Sequence, residues 1–489
     1  PAPRVLIQLG NLFDLTPGRP RNRMEIIATP ASRKEELTVL VIVCLGSFFH
    51  VQSMGSIQVA LPSIQKEFDS SLAAIQWIGM MGAITLSSLS LCFGRGADLV
   101  GRKRFFKMGL SLYALGAGLA ALSASFSQLL TFRFVMTVGL AMAAPMAGAL
   151  IASVFPAQRR GLALGLLTSS IAIGRTTGPS IGGLIIYLWG WRAIFLANCL
   201  FGIVTCLLVL WGLKGKEERK LEPFDFAGAL SLLIGYPSVL IAMSLGAKTS
   251  WESPQIVLWF GLAAAALAAF VWRELHTSAP LVSLSYFKNL SLSTAMLSLA
   301  MTYAVHLPLY LFGPLYMQNI LQLSPFTVGL VMATLPLTTA LTSPLSGRLA
   351  DRMNAGFVAI AGLCFLLVGI FLYASLDTDS EQLQVVVALA LVGVGLGLFT
   401  PANEKLAFST VTSGNYGVLS AMLASFASAS GALGTSVAVA LAESSRRKRA
   451  TLDPAGFAYD QQLAFSFLLP LAAIGLLITL AEKTNRRRR

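Results

Sequence analysis

Long apolar segments, separated by short polar loops, recur along almost the whole chain. About fourteen of them approach or exceed the roughly 20 residues that an α-helix needs to cross a hydrocarbon layer about 30 Å thick. The predicted spans are 37–63, 72–94, 105–126, 128–152, 161–187, 192–213, 226–247, 255–273, 289–318, 325–346, 356–376, 383–403, 415–442 and 461–482. The pattern therefore predicts an all-α polytopic membrane protein with 14 transmembrane helices.

The composition agrees with a fold that is embedded in lipid. Apolar residues make up 55% of the 489 residues and charged residues only 12%, with a mean hydropathy of +0.72. The 43 glycines permit close helix contacts in such a fold. The five cysteines lie within apolar segments and show no metal-ligand or redox spacing, so we expect no disulfide framework and no metal site.

The formal charge of +14 is concentrated in short loops rather than in one basic face. Arg and Lys residues cluster before span 1 and after spans 2, 4, 6 and 10, which by the positive-inside rule predicts that both termini are in the cytoplasm. The expected location is the bacterial inner or cell membrane. The cluster at 446–449 breaks this pattern. Either the span count is wrong near the end, or the cluster is tolerated because late loops weigh less in orientation.

One short phrase occurs twice, as Gly-Arg-Gly-Ala-Asp at 94–98 and as Gly-Arg-Leu-Ala-Asp at 347–351. Each copy ends one apolar segment and precedes the next. A charged turn repeated in this way indicates a duplicated membrane bundle, an architecture found in many transporters.

The first copy continues to residue 104 as GRGADLVGRKR, which resembles the loop between helices 2 and 3 of the major facilitator superfamily. The second copy is partial, since Asn354 and Ala355 stand where the first has Gly101 and Arg102. The resemblance implies a charged network that closes the cytoplasmic side, which Arg95 could join; the alternative is a solvated turn that only orients the chain. The implied gating residues are Gly94, Asp98, Gly101, Arg102, Lys103, Gly347, Asp351 and Arg352.

A glycine pattern in span 5 supports the same resemblance. It reads G-x8-G-x3-G-P-x2-G-G and resembles the helix-5 signature of antiporters in that superfamily. Glycines let a neighbouring helix approach closely and the proline bends its helix, so a pivot is one interpretation and a glycine-rich packing face is the other. The residues are Gly165, Gly174, Gly178, Pro179, Gly182 and Gly183.

The spacing of the repeat suggests an insertion between the halves. Eight predicted spans separate the two copies, whereas two plain six-helix repeats would place six there. This count resembles the fourteen-helix drug:proton antiporters of the major facilitator fold. The expected division is a cytoplasmic tail, a six-helix bundle, two inserted helices with linkers, a second six-helix bundle and a basic cytoplasmic tail, at 1–36, 37–213, 214–274, 275–482 and 483–489.

Few ionisable residues fall inside the spans, and these are the candidates for a substrate or proton pathway. Where the family has an Asp and an Asn in helix 1, this chain has Ser53 and Gln58, and the carboxylate nearest to a span interior is Glu404, beside Asn403 at the predicted cytoplasmic end of span 12. The remaining candidates are His50, Arg133, Arg175 and His306. Packing roles for the histidines, a snorkelling role for Arg133 and an interhelical contact for Arg175 remain the alternatives.

These features together favour a transporter that exports amphipathic small molecules by alternating access, with proton antiport implied by the resemblance. A facilitator or uptake carrier and a transport-inactive receptor or scaffold are the alternatives. No catalytic motif, metal cluster or cofactor loop is present in the sequence, and no nucleic-acid partner is expected. The expected partners are the substrate, protons and the lipid bilayer, and the protein is expected to act as a monomer. Without a helix-1 carboxylate, neutral or anionic substrates are expected.

Overall fold

The computed structural model describes residues 33–70, 72–213, 224–246, 253–277, 280–282, 284–323, 325–447 and 454–488. Within these ranges the chain forms fifteen α-helices and two short 3-10 helices, and no strand. The α-helices are α1 (Arg33–Phe68), α2 (Leu72–Val100), α3 (Arg102–Ala121), α4 (Phe126–Val154), α5 (Ala157–Trp189), α6 (Arg192–Gly212), α7 (Phe226–Gly246), α8 (Pro254–His276), α9 (Leu290–His306), α10 (Leu309–Asn319), α11 (Pro325–Arg352), α12 (Ala355–Ala374), α13 (Gln382–Phe408), α14 (Tyr416–Arg447) and α15 (Pro454–Arg488).

The predicted all-helical class is confirmed, since the predicted spans form helices apart from a few residues at their ends and one interruption. Ten segments of the described chain are long and apolar enough to cross a membrane. The predicted spans at 72–94, 105–126, 161–187 and 226–247 form α2, α3, α5 and α7, which lie outside that set. The number of crossings therefore stays a prediction.

One predicted span is interrupted in the structure. The segment 289–318 was expected to be a single helix, but it forms α9 and α10 with a break at Leu307 and Pro308. Proline has no backbone N–H and cannot donate to the preceding turn, whereas it fits well at the start of a new helix. The backbone amides of Leu311 and Phe312 accordingly both donate to the carbonyl oxygen of Pro308, at 3.0 Å.

We define the first half as α1–α6 and the second half as α9–α15. Within the first half α3 packs on α4 and α1 on α5, and within the second half α12 packs on α13 and α9 on both α14 and α15. The halves meet mainly where α5 packs on α11 and α2 on α14. This arrangement places the two copies of the repeated phrase, at the ends of α2 and α11, directly against the opposite half.

We call the end of the bundle where α2 stops and α3 starts the Asp98 end. The start of α1 also lies there, one turn earlier than the predicted span. Its Glu36 Oε1 lies 2.8 Å from Arg159 Nη2 at the start of α5, and its Glu35 Oε1 lies 3.8 Å from Lys103 Nζ on α3. These pairs anchor the beginning of α1 to two other helices of the first half.

The opposite end of the first half is held by a different polar cluster. Trp191 Nε1 donates to Glu67 Oε2 at 2.6 Å, and Arg192 pairs with the same carboxylate and donates to the Ser123 carbonyl oxygen at 3.0 Å. The hydrogen bond from Trp191, followed by those from Arg192, lowers the pKa of Glu67. Residues on α1 and α6 and at the end of α3 are thereby joined.

The inserted helices α7 and α8 pack chiefly against each other, and α7 also contacts α2 and α14. Asp225 accepts a hydrogen bond from the Gly228 amide at 3.0 Å and so caps the start of α7. The same carboxylate lies 3.2 Å from Arg273 Nε on α8. One buried carboxylate therefore both begins α7 and fixes its partner helix.

Large apolar side chains are exposed along the outside of several helices. On α6 they recur at three- and four-residue intervals, which places them on one continuous face. They are Leu196, Leu200, Ile203, Val204, Leu207, Leu210 and Trp211. An apolar stripe of this kind is the surface expected to contact lipid.

Candidate functional site

Asp98 closes the contact between α2 and α14. Its carboxylate accepts hydrogen bonds from the backbone amides of Gly417, at 2.9 Å to Oδ1, and of Val418, at 2.8 Å to Oδ2. These amides belong to the first turn of α14, where helix N–H groups lack internal partners and the helix dipole favours a negative charge. Arg102 Nε donates to the same carboxylate at 2.8 Å. A side chain of the first half therefore caps a helix of the second half.

Asp351 makes the reciprocal contact from the second copy of the phrase. Its carboxylate accepts from the backbone amides of Gly161 and Leu162 in α5, both at 2.9 Å. Its cationic partner is Lys405 on α13, whose Nζ lies 2.6 Å from Oδ1. Each half thus has one aspartate that accepts hydrogen bonds from a helix of the other half. Together the two aspartates join the halves at the Asp98 end.

Two of the cations expected around these aspartates, Lys103 and Arg352, do not pair with them in the described contacts. Lys103 was expected in the Asp98 network, but it pairs with Glu35 because it points to a different side of α3 from Arg102. Arg95 interacts electrostatically with Glu274 and Tyr286. Arg352 is exposed, and Lys405 occupies the position beside Asp351. The sequence offered no signal for Lys405, which is 54 residues from Asp351.

The glycines of the repeated phrase lie where the two halves touch. A Cβ atom added at Gly94 would be 2.4 Å from the Ala421 Cβ, and one added at Gly347 would be 2.2 Å from the Gly161 carbonyl oxygen. Gly101 has a different function, since its φ of 120° permits the tight turn between α2 and α3. Side chains larger than hydrogen are thus incompatible with the packing at 94 and 347.

The glycines of α5 divide between two neighbours. A Cβ at Gly165 would lie 2.4 Å from the Ser343 carbonyl oxygen on α11, in the other half. Gly174, Gly178 and Gly182 instead face α1 within the first half, where added Cβ atoms would meet its backbone at 2.5–2.6 Å. Gly183 has nothing described within 4 Å. Most of the pattern therefore packs α5 on α1, and only its first glycine reaches the interface between halves.

Pro179 lies on the same face of α5 as these packing glycines. A Cβ at Gly55 of α1 would come within 2.9 Å of Pro179 Cδ. One residue earlier, the Gly178 carbonyl oxygen accepts a hydrogen bond from Ser56 Oγ at 2.8 Å. Proline and its neighbouring carbonyl are thus both supported by α1, so that α1 and α5 are closely fitted on both sides of the proline.

A cavity of about 440 Å³ lies between the halves, lined by residues of α1–α6 and of α9, α13 and α14. Its walls are mostly apolar and aromatic. Phe49 and Phe201 stack there with ring centroids 4.1 Å apart. The other aromatic side chains in the lining are Phe106, Tyr113, Tyr303 and Phe408.

Tyr416 connects the cavity to the contacts at the Asp98 end. Its ring meets the ring of Phe408, a lining residue, edge-on at 5.3 Å between centroids. The guanidinium groups of Arg102 and Arg160 lie 5.6 and 5.2 Å from the same ring. Both arginines are next to an aspartate site, so Tyr416 is the physical link between the two sites and the cavity. Sequence reasoning missed this residue.

Three candidate residues from the sequence face the cavity: His50, Arg175 and Glu404. The position of Glu404 corrects the prediction, which placed it at the end of its helix and left the interior without a carboxylate. The helix α13 continues past Pro401 to Phe408, so Glu404 lies within it and lines the cavity. The apolar run ends at the polar residues Asn403, Glu404 and Lys405, and the boundary predicted at 403 was therefore several residues too early.

Arg175 contacts the second half through a neutral partner. Its Nη1 lies 3.5 Å from the Tyr310 hydroxyl, and its guanidinium carbon is 5.5 Å from the Tyr310 ring. Tyr303 interacts electrostatically with both Arg175 and Glu404. In the described part of the chain, no carboxylate lies within ion-pair distance of Arg175.

The other candidates lie outside the cavity lining. Arg133 is buried, with 3% of its surface exposed, and among the described residues its Nη1 donates to Met136 Sδ at 3.2 Å. Ser53 is buried and Gln58 is exposed. Arg133 is therefore a buried cation without a described counterion, placed behind the cavity wall.

His306 and Asn403 make contacts typical of packing residues. The His306 Nδ1 lies 2.8 Å from the Thr302 carbonyl oxygen, and its ring packs edge-on against Tyr303 at 4.8 Å. Asn403 Nδ2 donates to the Ala295 carbonyl oxygen at 3.0 Å and so joins α13 to α9. Both contacts lie inside the second half.

The arrangement has the form of a transporter: a central cavity between two helical halves, closed by polar contacts at one end. The sequence model of the Major Facilitator Superfamily matches residues 43–309 and 290–489. The chain belongs to the Major Facilitator Superfamily. Its fold is therefore that of an integral membrane transporter.

Relatives within the superfamily include proteins named for drug resistance. The multidrug resistance protein Stp of Mycobacterium tuberculosis is 30% identical over 340 residues, which cover 69% of this chain and 63% of Stp. The lincomycin resistance protein LmrB of Listeria monocytogenes is 26% identical, over 94% of this chain and 99% of its own. The riboflavin transporter RibZ of Clostridioides difficile is also 26% identical, over 82% and 87%.

Two solved structures of transporters share the fold. The human organic anion transporter MFSD10 superposes with a TM-score of 0.66 at 15% identity, covering 91% of this chain and 99% of its own. A bacterial homologue of the iron transporter ferroportin gives a TM-score of 0.65 at 14% identity, covering 92% and 99%. The major facilitator fold that the repeated phrase indicated is thereby confirmed.

Proposed function

We propose that this transporter exports amphipathic small molecules by alternating access, in exchange for protons. The observation that carries the proposal is the cavity between the halves together with the contacts that close it at the Asp98 end. A mostly apolar, aromatic cavity with a few polar groups is the usual form of a binding site for amphipathic ligands. The names of Stp and LmrB support drug-like substrates.

Alternating access requires a closure that can open without unfolding the halves. The two aspartate sites fit this requirement, since they consist of hydrogen bonds and ion pairs between helices that are each packed within their own half. Opening the Asp98 end would break these contacts and leave the packing of α1 on α5 intact. The halves are the units that we expect to move.

Glu404 is the carboxylate that we assign to proton coupling. The resemblance places such a group in helix 1, where this chain has Ser53, but Glu404 faces the same cavity from α13. Intramembrane carboxylates commonly mark proton pathways in transporters. A carboxylate at this position can hold either a proton or the positive charge of a substrate, which is the exchange that antiport requires.

Flux into everted membrane vesicles is the direct test. With the vesicle interior acidified, a panel of fluorescent amphipathic dyes and antibiotics should include compounds that accumulate inside, and collapse of the pH gradient should release them. Control vesicles from the same host without the protein should show no such accumulation. Equilibration without accumulation would instead indicate a facilitator, and binding without flux a receptor or scaffold; either result would refute export by antiport.

The proposed orientation has the Asp98 end in the cytoplasm and fourteen crossings, with α9 and α10 forming one of them. It is supported by the basic residues that follow α2 and α4 at that end. Reporter fusions after Glu381, Ser409 and Asp453 are expected to indicate outside, inside and outside. A cytoplasmic signal after Asp453 would mean that the final pair of crossings is misplaced.

A further inference from the structure

Two side chains of opposite charge face the central cavity from different halves. Arg175 projects from α5 of the first half and Glu404 from α13 of the second. They form no ion pair with each other, and neither has an oppositely charged partner among the described residues. The cavity therefore has one positive and one negative wall.

The present partner of Arg175 does not neutralise it. The Tyr310 hydroxyl is a neutral acceptor, and its distance of 3.5 Å from Nη1 is longer than the usual N–H···O distance of about 2.7–3.2 Å. A carboxylate offers a guanidinium two oxygens in a geometry that matches its fork. An anionic group on a ligand could therefore replace the tyrosine and bind more strongly.

Charge balance then decides which ligands suit the cavity. Arg175 is exposed in this structure, and covering its charge with a ligand that does not pair with it would enclose an unpaired charge in an apolar site, which is costly. A cationic ligand would pair with Glu404, but it would leave Arg175 unpaired and would be repelled by its positive charge. An anion would satisfy Arg175 and require Glu404 to be protonated. A ligand with both charges satisfies both walls at once.

We infer that the cavity selects amphipathic zwitterions, whose anionic group binds Arg175 and whose cationic group binds Glu404. This inference rests on the proposed function and specifies its substrate class. It replaces the sequence-based expectation of neutral or anionic substrates, which depended on the absence of a carboxylate. The order of affinity that follows is zwitterion, then anion, then cation.

The order of affinity can be tested with three compounds that share one body. Norfloxacin carries a carboxylate and a basic piperazine, its N-acetyl derivative is an anion, and its ethyl ester is a cation. Binding to the purified full chain in lipid nanodiscs, followed by the intrinsic fluorescence of the quinolone near neutral pH, requires no transport. We expect norfloxacin to bind at least about tenfold more tightly than the ester, with the N-acetyl compound in between.

Two isosteric variants assign the charges to their partners. Arg175→Gln should weaken norfloxacin and the N-acetyl compound about tenfold and leave the ester unchanged or tighter. Glu404→Gln should weaken norfloxacin and the ester and leave the N-acetyl compound unchanged or tighter, because the neutral glutamine needs no proton to accept an anion. Arg104→Gln and Asp379→Asn remove exposed charges away from the cavity and should change none of the three affinities.

Equal affinities for norfloxacin and its ester, or an Arg175→Gln variant with an unaltered order, would overturn the inference. The vesicle assay separates this failure from that of the proposed function. Transport of a panel without any charge preference refutes the zwitterion inference alone, whereas the predicted order of binding without flux refutes export and leaves the charge assignment intact.

Discussion

Replacing Asp98 by Asn is expected to reduce transport about tenfold or more while the protein remains folded in the membrane. Asparagine would present an amide N–H group to one of the two backbone amides at the start of α14, and would remove the charge that pairs with Arg102. Losing one buried, charge-assisted hydrogen bond costs about 1–3 kcal/mol, which shifts a two-state equilibrium by about five- to 150-fold. The halves themselves keep their packing, so the loss should fall on closure of the Asp98 end.

Thiol labelling measures that closure separately from flux. The five native cysteines are first replaced by serine, and Ser420, a buried residue of the cavity lining, is replaced by cysteine. This cysteine should react faster with an impermeant reagent added from the Asp98 side when Asp98→Asn is also present than when it is not. Asp351→Asn should act in the same way, because it makes the reciprocal contact. Unchanged labelling together with full flux in both variants would contradict the assignment of these aspartates to closure.

Two glycine-to-valine variants, one at the interface between the halves and one away from close contacts, test the same closure by steric bulk. Gly347→Val would place a side chain against the Gly161 backbone, where even a Cβ would lie 2.2 Å from the carbonyl oxygen, whereas Gly183 has nothing described within 4 Å. The first substitution should therefore open the Asp98 end to the thiol reagent, and Gly183→Val should leave both labelling and flux unchanged.

The local structure could be predicted from the sequence because it depends on local patterns. Apolar runs of helical length located the helices, and the one interrupted span, at Leu307 and Pro308, arose because a proline inside a long apolar run was not given the weight of a helix start. The fold family followed from the phrase at 94–104, whose residues combine a turn glycine, Gly101, with a capping aspartate, Asp98.

The partners of these residues could not be predicted in the same way. Asp98 meets amides that lie 319 and 320 residues further along the chain, and a backbone amide carries no sequence signal. Lys405 pairs with Asp351 from another helix, although the second copy of the phrase suggested the adjacent Arg352. Contacts between halves depend on how two bundles dock, and periodicity within one helix does not contain that information.

Which side chains face the cavity also could not be predicted from the sequence. The sequence proposed a set of ionisable residues for the pathway, and of these only His50, Arg175 and Glu404 face the cavity. The rotation of each helix decides the outcome, since residues one position apart on a helix point about 100° apart. Asn403 donates to α9 while its neighbour Glu404 faces the cavity, so adjacent candidates acquire unrelated functions.

Glu404→Gln is expected to abolish accumulation driven by a pH gradient while preserving exchange of substrate. Glutamine has nearly the same shape as glutamate but cannot take up and release a proton, so the step that couples proton movement to closure of the halves is lost. Substrate-for-substrate exchange requires only that the loaded cavity alternate between the two sides. At saturating substrate, exchange should therefore stay within about twofold of the unaltered protein, while gradient-driven accumulation falls about tenfold or more.

The distinction between these two readouts separates coupling from folding and binding. A misfolded variant would lose both activities, and a variant with weakened binding would recover both at high substrate concentration. Asp379→Asn, which removes an exposed carboxylate away from the cavity, should retain both. If Glu404→Gln accumulates substrate as strongly as the unaltered protein, the coupling proton must be carried elsewhere. His50, the other titratable side chain of the cavity lining besides Tyr113 and Tyr303, would then be the residue to replace, because its unperturbed titration lies closest to neutral pH.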